Sequence, residues 1–375
     1  MRILHVVAKS QYRGAERAAL ELAHELESLG HRNRVLALGP AADGSVEADL
    51  PVLLARPGEG PRVLPSAVRE VRRLLRRDRP DILLAHGGWP VQVAALARGG
   101  RGPRVVWQRI LGFPPDMWRA ARRRYWRTIA RRTDAAVALT TDLAEELRRL
   151  GFVGPVRVIA NTRRPDRFLA VDRREAQAAL RAEIGVDASV PLLGFVGHLV
   201  RQKRPERAVE VLQRVRALGA GAHLVVVGDG PLRPLVERAA RERALTDHVT
   251  LLGHRRDVEQ VFGALDLVLI TSDSEGIPGV AIEAQMAGCP VVTFPLGGVG
   301  EVVDHGQTGI VLDRFDTDLM AEYAVQLLRS PEMRRSFGAR ARGRAHHFAT
   351  ERAAREYEDL FSGLLARRRS GNGSA

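Results

Sequence analysis

Short runs of apolar, largely β-branched residues recur along the chain, separated by longer stretches whose apolar positions return every three or four residues. The first pattern predicts strands and the second predicts amphipathic helices. In the first half, strands are expected at Ile3–Ala8, Asn33–Leu38, Ile82–Ala85, Arg104–Gln108, Ala135–Leu139 and Val156–Ile159. In the second half they are expected at Leu192–Val196, His223–Val227, Val249–Leu252, Leu267–Thr271, Val291–Phe294 and Gly309–Leu312. Helical stretches such as Ala15–Leu29 and Arg204–Leu218 lie between them. Alternation of this kind builds βαβ units and parallel sheets. The expected fold is therefore α/β, with two doubly wound, Rossmann-like domains facing across a cleft. The first is expected over residues 1–187 and the second over 188–349, with the boundary near Ala188, after the charged segment Asp172–Ile184 and the breakers Gly185, Asp187 and Pro191. A last helix over 350–369 is expected to cross back to the first domain, and the tail 370–375 to be disordered.

Composition narrows the class. With 375 residues, 45% hydrophobic and 27% charged, the chain can bury two cores and is not a disordered protein. No apolar run reaches the roughly 18 residues that span a bilayer. The first residues read as a strand rather than a secretory leader, so a cytoplasmic protein is expected. The lone Cys289 allows neither an intrachain disulfide nor a cysteine-based metal cluster. The formal charge is +14, and of the 58 basic residues only Lys9 and Lys203 are lysines. Part of that arginine bias is compositional background. The remainder favours anionic partners: phosphorylated donors, acidic lipid surfaces or nucleic acid.

The strongest chemical signal is the segment Ser274–Ala284, SEGIPGVAIEA, which follows an apolar strand and opens a helix. Proline is tolerated at a first helical position, so Pro278 is expected to start that helix. The segment Gly276, Ile277, Gly279 and Val280 then offers backbone N–H groups where a phosphate sits well, helped by the helix dipole. Glu283 lies about one turn in, placed to accept hydrogen bonds from a ribose diol. Glu275, in the preceding loop, can do the same for sugar hydroxyls or stabilise positive charge at an anomeric carbon. The bland alternative is a turn flanked by two solvated glutamates. A second segment, Gly194–Pro205, ends a strand in Gly197 and continues through His198, Arg201, Lys203 and Arg204. There the backbone can approach an anion and cations can neutralise a diphosphate. A third, Val225–Pro231, runs a strand into the turn Gly228-Asp229-Gly230-Pro231, which lacks the third glycine of a dinucleotide fingerprint.

Taken together and in this order, these segments resemble the donor domain of glycosyltransferase family 4, which has the GT-B fold. Glu275 and Glu283 match its Glu-x7-Glu motif, Gly197, Leu199 and Lys203 its glycine–lysine loop, Gly228–Pro231 its GDGP turn, and Gly297, Gly298 and Glu301 its GG-x-x-E turn. The resemblance covers Leu192 to Leu312 strongly and the first half more weakly. It implies a retaining, metal-independent transferase that takes a sugar from a nucleoside diphosphate donor, with no cofactor. It also implies that Glu275 lies against the donor sugar, Glu283 holds the ribose, and Lys203 binds the diphosphate. The usual arginine partner of that lysine is His198 here, and a neutral imidazole leaves less charge on the leaving group. Asp316-Thr317-Asp318 spells a metal-binding pattern of another glycosyltransferase fold, but its place ahead of a helix reads as an N-cap.

In the first half, Tyr12-Arg13-Gly14-Ala15-Glu16 resembles the family's GGAE loop, with the Gly14 N–H placed toward donor phosphate or acceptor. His86 ends a strand and resembles a family histidine near the reacting centre; a structural role is the even alternative. Arg109 stands where many members have another histidine, and Asn161 matches the asparagine of a PNGVD hinge from which Thr162-Arg163-Arg164 departs. Arg109 and Asn161 are thus acceptor-side candidates. The segment Trp118–Arg132 combines aromatic residues with seven arginines; it can rest on an anionic membrane or simply pack on the core with a solvated arginine face. The partners expected are a nucleotide-sugar and a hydroxyl-bearing acceptor (a lipid-linked glycan, a glycan or a small molecule) in cell-surface polysaccharide, glycolipid or glycosylated-metabolite synthesis. A nucleotide-sugar epimerase of the same fold, a nucleic-acid-binding protein and a catalytically silent scaffold are the competing readings.

Overall fold

A computed structural model describes residues 1–11, 14–41, 48–55, 58–100, 102–113 and 115–371. Among the described residues, twelve parallel strands form two six-stranded sheets. The first contains β1 (Arg2–Lys9), β2 (Arg32–Gly39), β3 (Ile82–His86), β4 (Arg104–Arg109), β5 (Ala135–Ala138) and β6 (Val156–Val158), in the order β2-β1-β3-β4-β5-β6. The second contains β7 (Leu192–Val196), β8 (His223–Val227), β9 (Val249–Gly253), β10 (Leu267–Ile270), β11 (Val291–Thr293) and β12 (Gly309–Val311), in the order β12-β11-β10-β7-β8-β9. Helices follow most strands, and strands buried throughout, such as β3, β5, β8, β10 and β11, read as near-continuous apolar runs. Every expected strand is present within a residue or two of its expected ends, and the two doubly wound halves of the expected fold are both there.

The chain divides into two compact units, one of residues 1–162 with 350–375 and the other of residues 163–349. The break therefore falls at Thr162/Arg163 and not near Ala188. The reason lies in the helix Arg173–Ile184, which the sequence reading assigned to the first domain. Asp172 caps it by accepting the Arg174 and Glu175 N–H groups. Arg173 then donates to the carbonyls of Leu265 (2.8 Å) and Ala287 (3.0 Å), and Arg181 pairs with Asp266 at 3.0 Å. These bonds fasten the helix to the second sheet's own elements.

The final helix, Thr350–Gly371, belongs to the first unit. Ala353, Ala354, Tyr357, Leu360, Phe361 and Leu364 recur at the i, i+3, i+4 spacing of one helix face. They pack in one core cluster with Ile3, Leu22, Leu26, Ile82, Leu84 and Val106. Each fully buried Leu or Phe of this set contributes roughly 1.5–3 kcal/mol. The helix runs to Gly371, two residues into the tail expected to be unstructured, and residues 372–375 lie outside the described residues.

Candidate active site

In the second sheet, strand order reverses between β7 and β10, the switch point at whose carboxyl ends a doubly wound sheet opens a crevice. The two loops that leave those strands are the ones singled out by their chemistry. The loop after β7 is laced to the loop after β8: Gly197 N–H donates to Val227 O (2.9 Å), Leu199 N–H to Asp229 O (3.0 Å) and Leu232 N–H to Leu199 O (3.0 Å). Gly228 adopts φ +123°, and a Cβ there would fall 2.0 Å from the Gly197 carbonyl oxygen. A Cβ at Gly230 would meet Leu199 O at 2.6 Å and His198 Cε1 at 3.0 Å. The GDG turn is thus a seat for the Gly197–Leu199 segment, and its glycines are what let the two backbones touch.

The same loop is stitched to the one after β10. Thr271 Oγ1 donates to the Lys203 and Arg204 carbonyls (3.1 and 3.0 Å), Asp273 N–H to Gln202 O (2.8 Å), and Gln202 Nε2 to Ser274 O (2.8 Å). This lacing brings Lys203 and Glu275 together. Lys203 Nζ donates to Glu275 Oε1 in an ion pair, and Ser272 Oγ donates to the same oxygen at 2.7 Å. Their side chains are 25% and 11% exposed, so the pair sits partly out of water with one face reachable. Gly297, of the glycine pair ahead of Glu301, passes so near that a Cβ would lie 3.1 Å from Glu275 O.

The helix after this loop is Gly279–Met286; Pro278 is its N-cap residue, one position earlier than expected. Its first N–H groups have no intrahelical partner. Ile277 is buried, while Gly276, Gly279 and Val280 are half-buried. Glu283 accepts a hydrogen bond from Arg163 Nε at 2.5 Å, and both side chains are at least nine-tenths buried. Arg163 was not singled out from the sequence. Its only signal was the departure of Thr162-Arg163-Arg164 from the hinge pattern. Asp316, of the aspartate triplet, accepts the Asp318 and Leu319 N–H groups at 3.0 Å each, capping the helix Thr317–Arg329.

In the first unit, His86 is 3% exposed and engages both ring nitrogens inside the unit. It lies 3.2 Å from His5 Nδ1 through Nε2 and 2.5 Å from Gln108 Oε1 through Nδ1. His5 Nε2 faces Asn33 Oδ1 at 3.1 Å, and Gln108 Nε2 donates to the Tyr357 hydroxyl at 2.9 Å. Burial pushes His5 down to about 3 and His86 down to about 4, so both rings are neutral. Two neutral rings carry two N–H protons, whereas three contacts between acceptors need three. Turning the Asn33 amide resolves this: its Nδ2, with no hydrogen-bond partner among the described residues, becomes the donor to His5. His5 Nδ1 then donates to His86, and His86 Nδ1 to Gln108. His86 is therefore an internal link across the strands rather than a side chain presented at the sheet's edge.

Arg109 is also internal, at 5% exposure. Its guanidinium lies 3.5 Å from the centroid of Phe113 and 3.6 Å from Glu146, and burial lowers its pKa to about 10. Asn161 Oδ1 accepts the Thr162 N–H at 3.1 Å, a local backbone turn. Gly14 opens the helix Gly14–Ser28 with nothing within 4 Å of a Cβ position; Tyr12 and Arg13 lie outside the described residues.

Residues 176–344 match the family described as glycosyl transferases group 1, and residues 12–167 match Glycosyltransferase Family 4. The chain is also 31% identical over 353 residues to the D-inositol 3-phosphate glycosyltransferase of Rhodococcus erythropolis, covering 87% of this chain and 75% of that one. The chain belongs to glycosyltransferase family 4. Another relative of this family member is the N-acetyl-alpha-D-glucosaminyl L-malate synthase of Bacillus anthracis, 30% identical over half of this chain; the chain spans about half (49%) of that protein's length. Anabaena HepE, crystallised with UDP, superposes with a TM-score of 0.81 over 97% of this chain and 100% of its own, at 20% identity, a likeness of GT-B fold.

Proposed function

We propose that this family member transfers a sugar, with retention of anomeric configuration and without a metal, from a nucleoside diphosphate donor to an acceptor hydroxyl. The single observation that carries the reading is the Lys203–Glu275 pair, held beside a helix start at the switch point of the second sheet. The glycosyl C1–oxygen bond breaks through an oxocarbenium-like state, and its electron pair goes to the departing diphosphate. Lys203, the amides of Gly279 and Val280 and the His198 loop stabilise that charge, fixed in place before the reaction. Glu275 sets the Lys203 ammonium and lies against the donor sugar; Glu283 takes the ribose. The acceptor oxygen attacks the face the diphosphate leaves, and its proton passes to the leaving phosphate oxygen. The acceptor is a hydroxyl on a glycan, a glycolipid or a small metabolite.

A screen of nucleotide-sugars for slow hydrolysis and for protection from thermal unfolding tests the donor side. Glu275→Gln and Lys203→Ala are each expected to cut turnover at least roughly tenfold while leaving the unfolding transition in place. Near-normal rates in both would end the assignment.

We also propose peripheral contact with an anionic membrane on the cytoplasmic side. The helix Ala120–Arg131 packs Ile129 and Ala130 inward, exposes Arg122, Arg123, Arg124, Arg127 and Arg131, and presents Tyr125 at 39% exposure. No helix among the described residues is long and apolar enough to cross a membrane, so attachment would be to the surface. Co-sedimentation with phosphatidylglycerol vesicles, absent with phosphatidylcholine vesicles, is the expected result; equal pelleting with both, or none, refutes it.

A further inference from the structure

We infer that Arg163 is a positioning residue for the nucleotide: it holds the Glu283 carboxylate in the orientation that meets the ribose. This rests on the donor-site reading above. The anchor is the backbone. Arg163 N–H donates to Phe348 O at 2.9 Å, and Arg163 bridges to Ala349, so its Cα is tied to the end of the second unit. From there the side chain, 3% exposed, reaches Glu283 Oε1 through Nε. A buried guanidinium and a buried carboxylate are each costly alone, and removing either leaves the other uncompensated. Paired through a planar guanidinium, the carboxylate also gains a fixed direction.

The glycine at the helix start belongs to the same arrangement. A Cβ on Gly279 would lie 2.1 Å from Arg163 Nη2 and 3.0 Å from Cζ. Any other residue there requires the guanidinium to move aside, which disturbs the Nε–Glu283 bond. Gly279 thus has a side-chain reason to be glycine, beyond admitting a phosphate to its N–H. Glu283 is 120 positions from its partner, so the ribose acid is set from outside its own motif.

The test is titration calorimetry of the full chain with UDP, GDP and their 2′-deoxy counterparts. The wild-type protein is expected to bind at least one ribonucleotide roughly tenfold or more tightly than its 2′-deoxy form, the size of a lost hydrogen bond to a charged group. Arg163→Ala and Gly279→Ala are expected to reduce that preference to about twofold or less, as Glu283→Gln does, and Arg163→Lys to recover part of it. A merely structural role would weaken both forms equally and keep the ratio. An unchanged ratio in folded Arg163→Ala overturns the inference; if that variant does not fold, Gly279→Ala, which keeps the arginine, decides by the same criterion. Failure of the underlying reading looks different: the wild type binds none of the four, or Glu283→Gln keeps the full preference, and then the inference falls with it.

Discussion

Glycine has two distinct meanings in this chain, and substitution separates them. At Gly228 the backbone sits at φ +123° with no room for a Cβ against the Gly197 carbonyl. Gly228→Ala is expected to destabilise the protein by roughly 2 kcal/mol or more and to weaken nucleotide binding, because the Gly197–Leu199 segment rests on that turn. Gly14 is the opposite case, with open space at its Cβ position and a helical backbone. Gly14→Ala should shift stability by no more than about 0.5 kcal/mol, yet lower turnover if a ligand approaches the Gly14 N–H. Chemical denaturation beside initial rates reads both; unchanged turnover means that no ligand approaches the Gly14 N–H. The legibility of the site follows the same division. Lys203 and Glu275 stood out because each lies in a loop whose glycines and charges have a local meaning. Arg163 did not, because its meaning comes from a carboxylate 120 positions away. His86 was legible as a polar residue at a strand end, but its partners His5 and Gln108 come from two other strands, and only packing shows that they use up both ring nitrogens.

Whole elements were easier to read than their allegiance. Strands buried on both faces must be apolar throughout, so their runs survive in the sequence as blocks. The helix Arg173–Ile184 was equally legible as a helix, with its cap Asp172 and its stop Gly185. Which sheet it joins was not, since amphipathic spacing says that a face is covered but not by what. The answer is carried by Arg173, whose guanidinium donates to the Leu265 and Ala287 carbonyls. Arg173→Ala leaves those carbonyls without that donor in a partly buried setting, a cost of about 1–3 kcal/mol. Arg173→Lys should recover only part, because an ammonium cannot spread two bonds across a planar fork. Thermal unfolding of the full chain is the measurement. A transition that does not move in Arg173→Ala would mean that the Arg181–Asp266 pair and apolar packing suffice to hold the helix in the second unit.

At the scale of the molecule, the first unit hangs together through a polar thread inside an apolar body. Asn33, His5, His86 and Gln108 come from four strands and Tyr357 from the C-terminal helix, so the chain's last helix is hydrogen-bonded to the centre of its first sheet. Burial keeps both rings of this thread neutral, and this makes stability depend on pH with a defined sign. Burial holds His5 down to about 3 and His86 down to about 4, against about 6.5 in an unfolded chain. Their contribution is therefore complete above pH 6.5 and is lost as pH falls from there toward 4, because the unfolded state takes up protons the folded state refuses. Each ring adds a slope of about 1.4 kcal/mol per pH unit in that window, or roughly 2 kcal/mol between pH 6.5 and 5. Carboxylates also titrate toward the acid end, so the decisive quantity is a difference. His86→Gln keeps a hydrogen-bonding group but cannot take up a proton. It should be less stable than the wild type at pH 7.5, and its stability should fall less steeply between pH 6.5 and 5, by about one ring's slope. Parallel curves for the two proteins would show that His86 already titrates freely in the folded state, and the neutral thread would have to be abandoned.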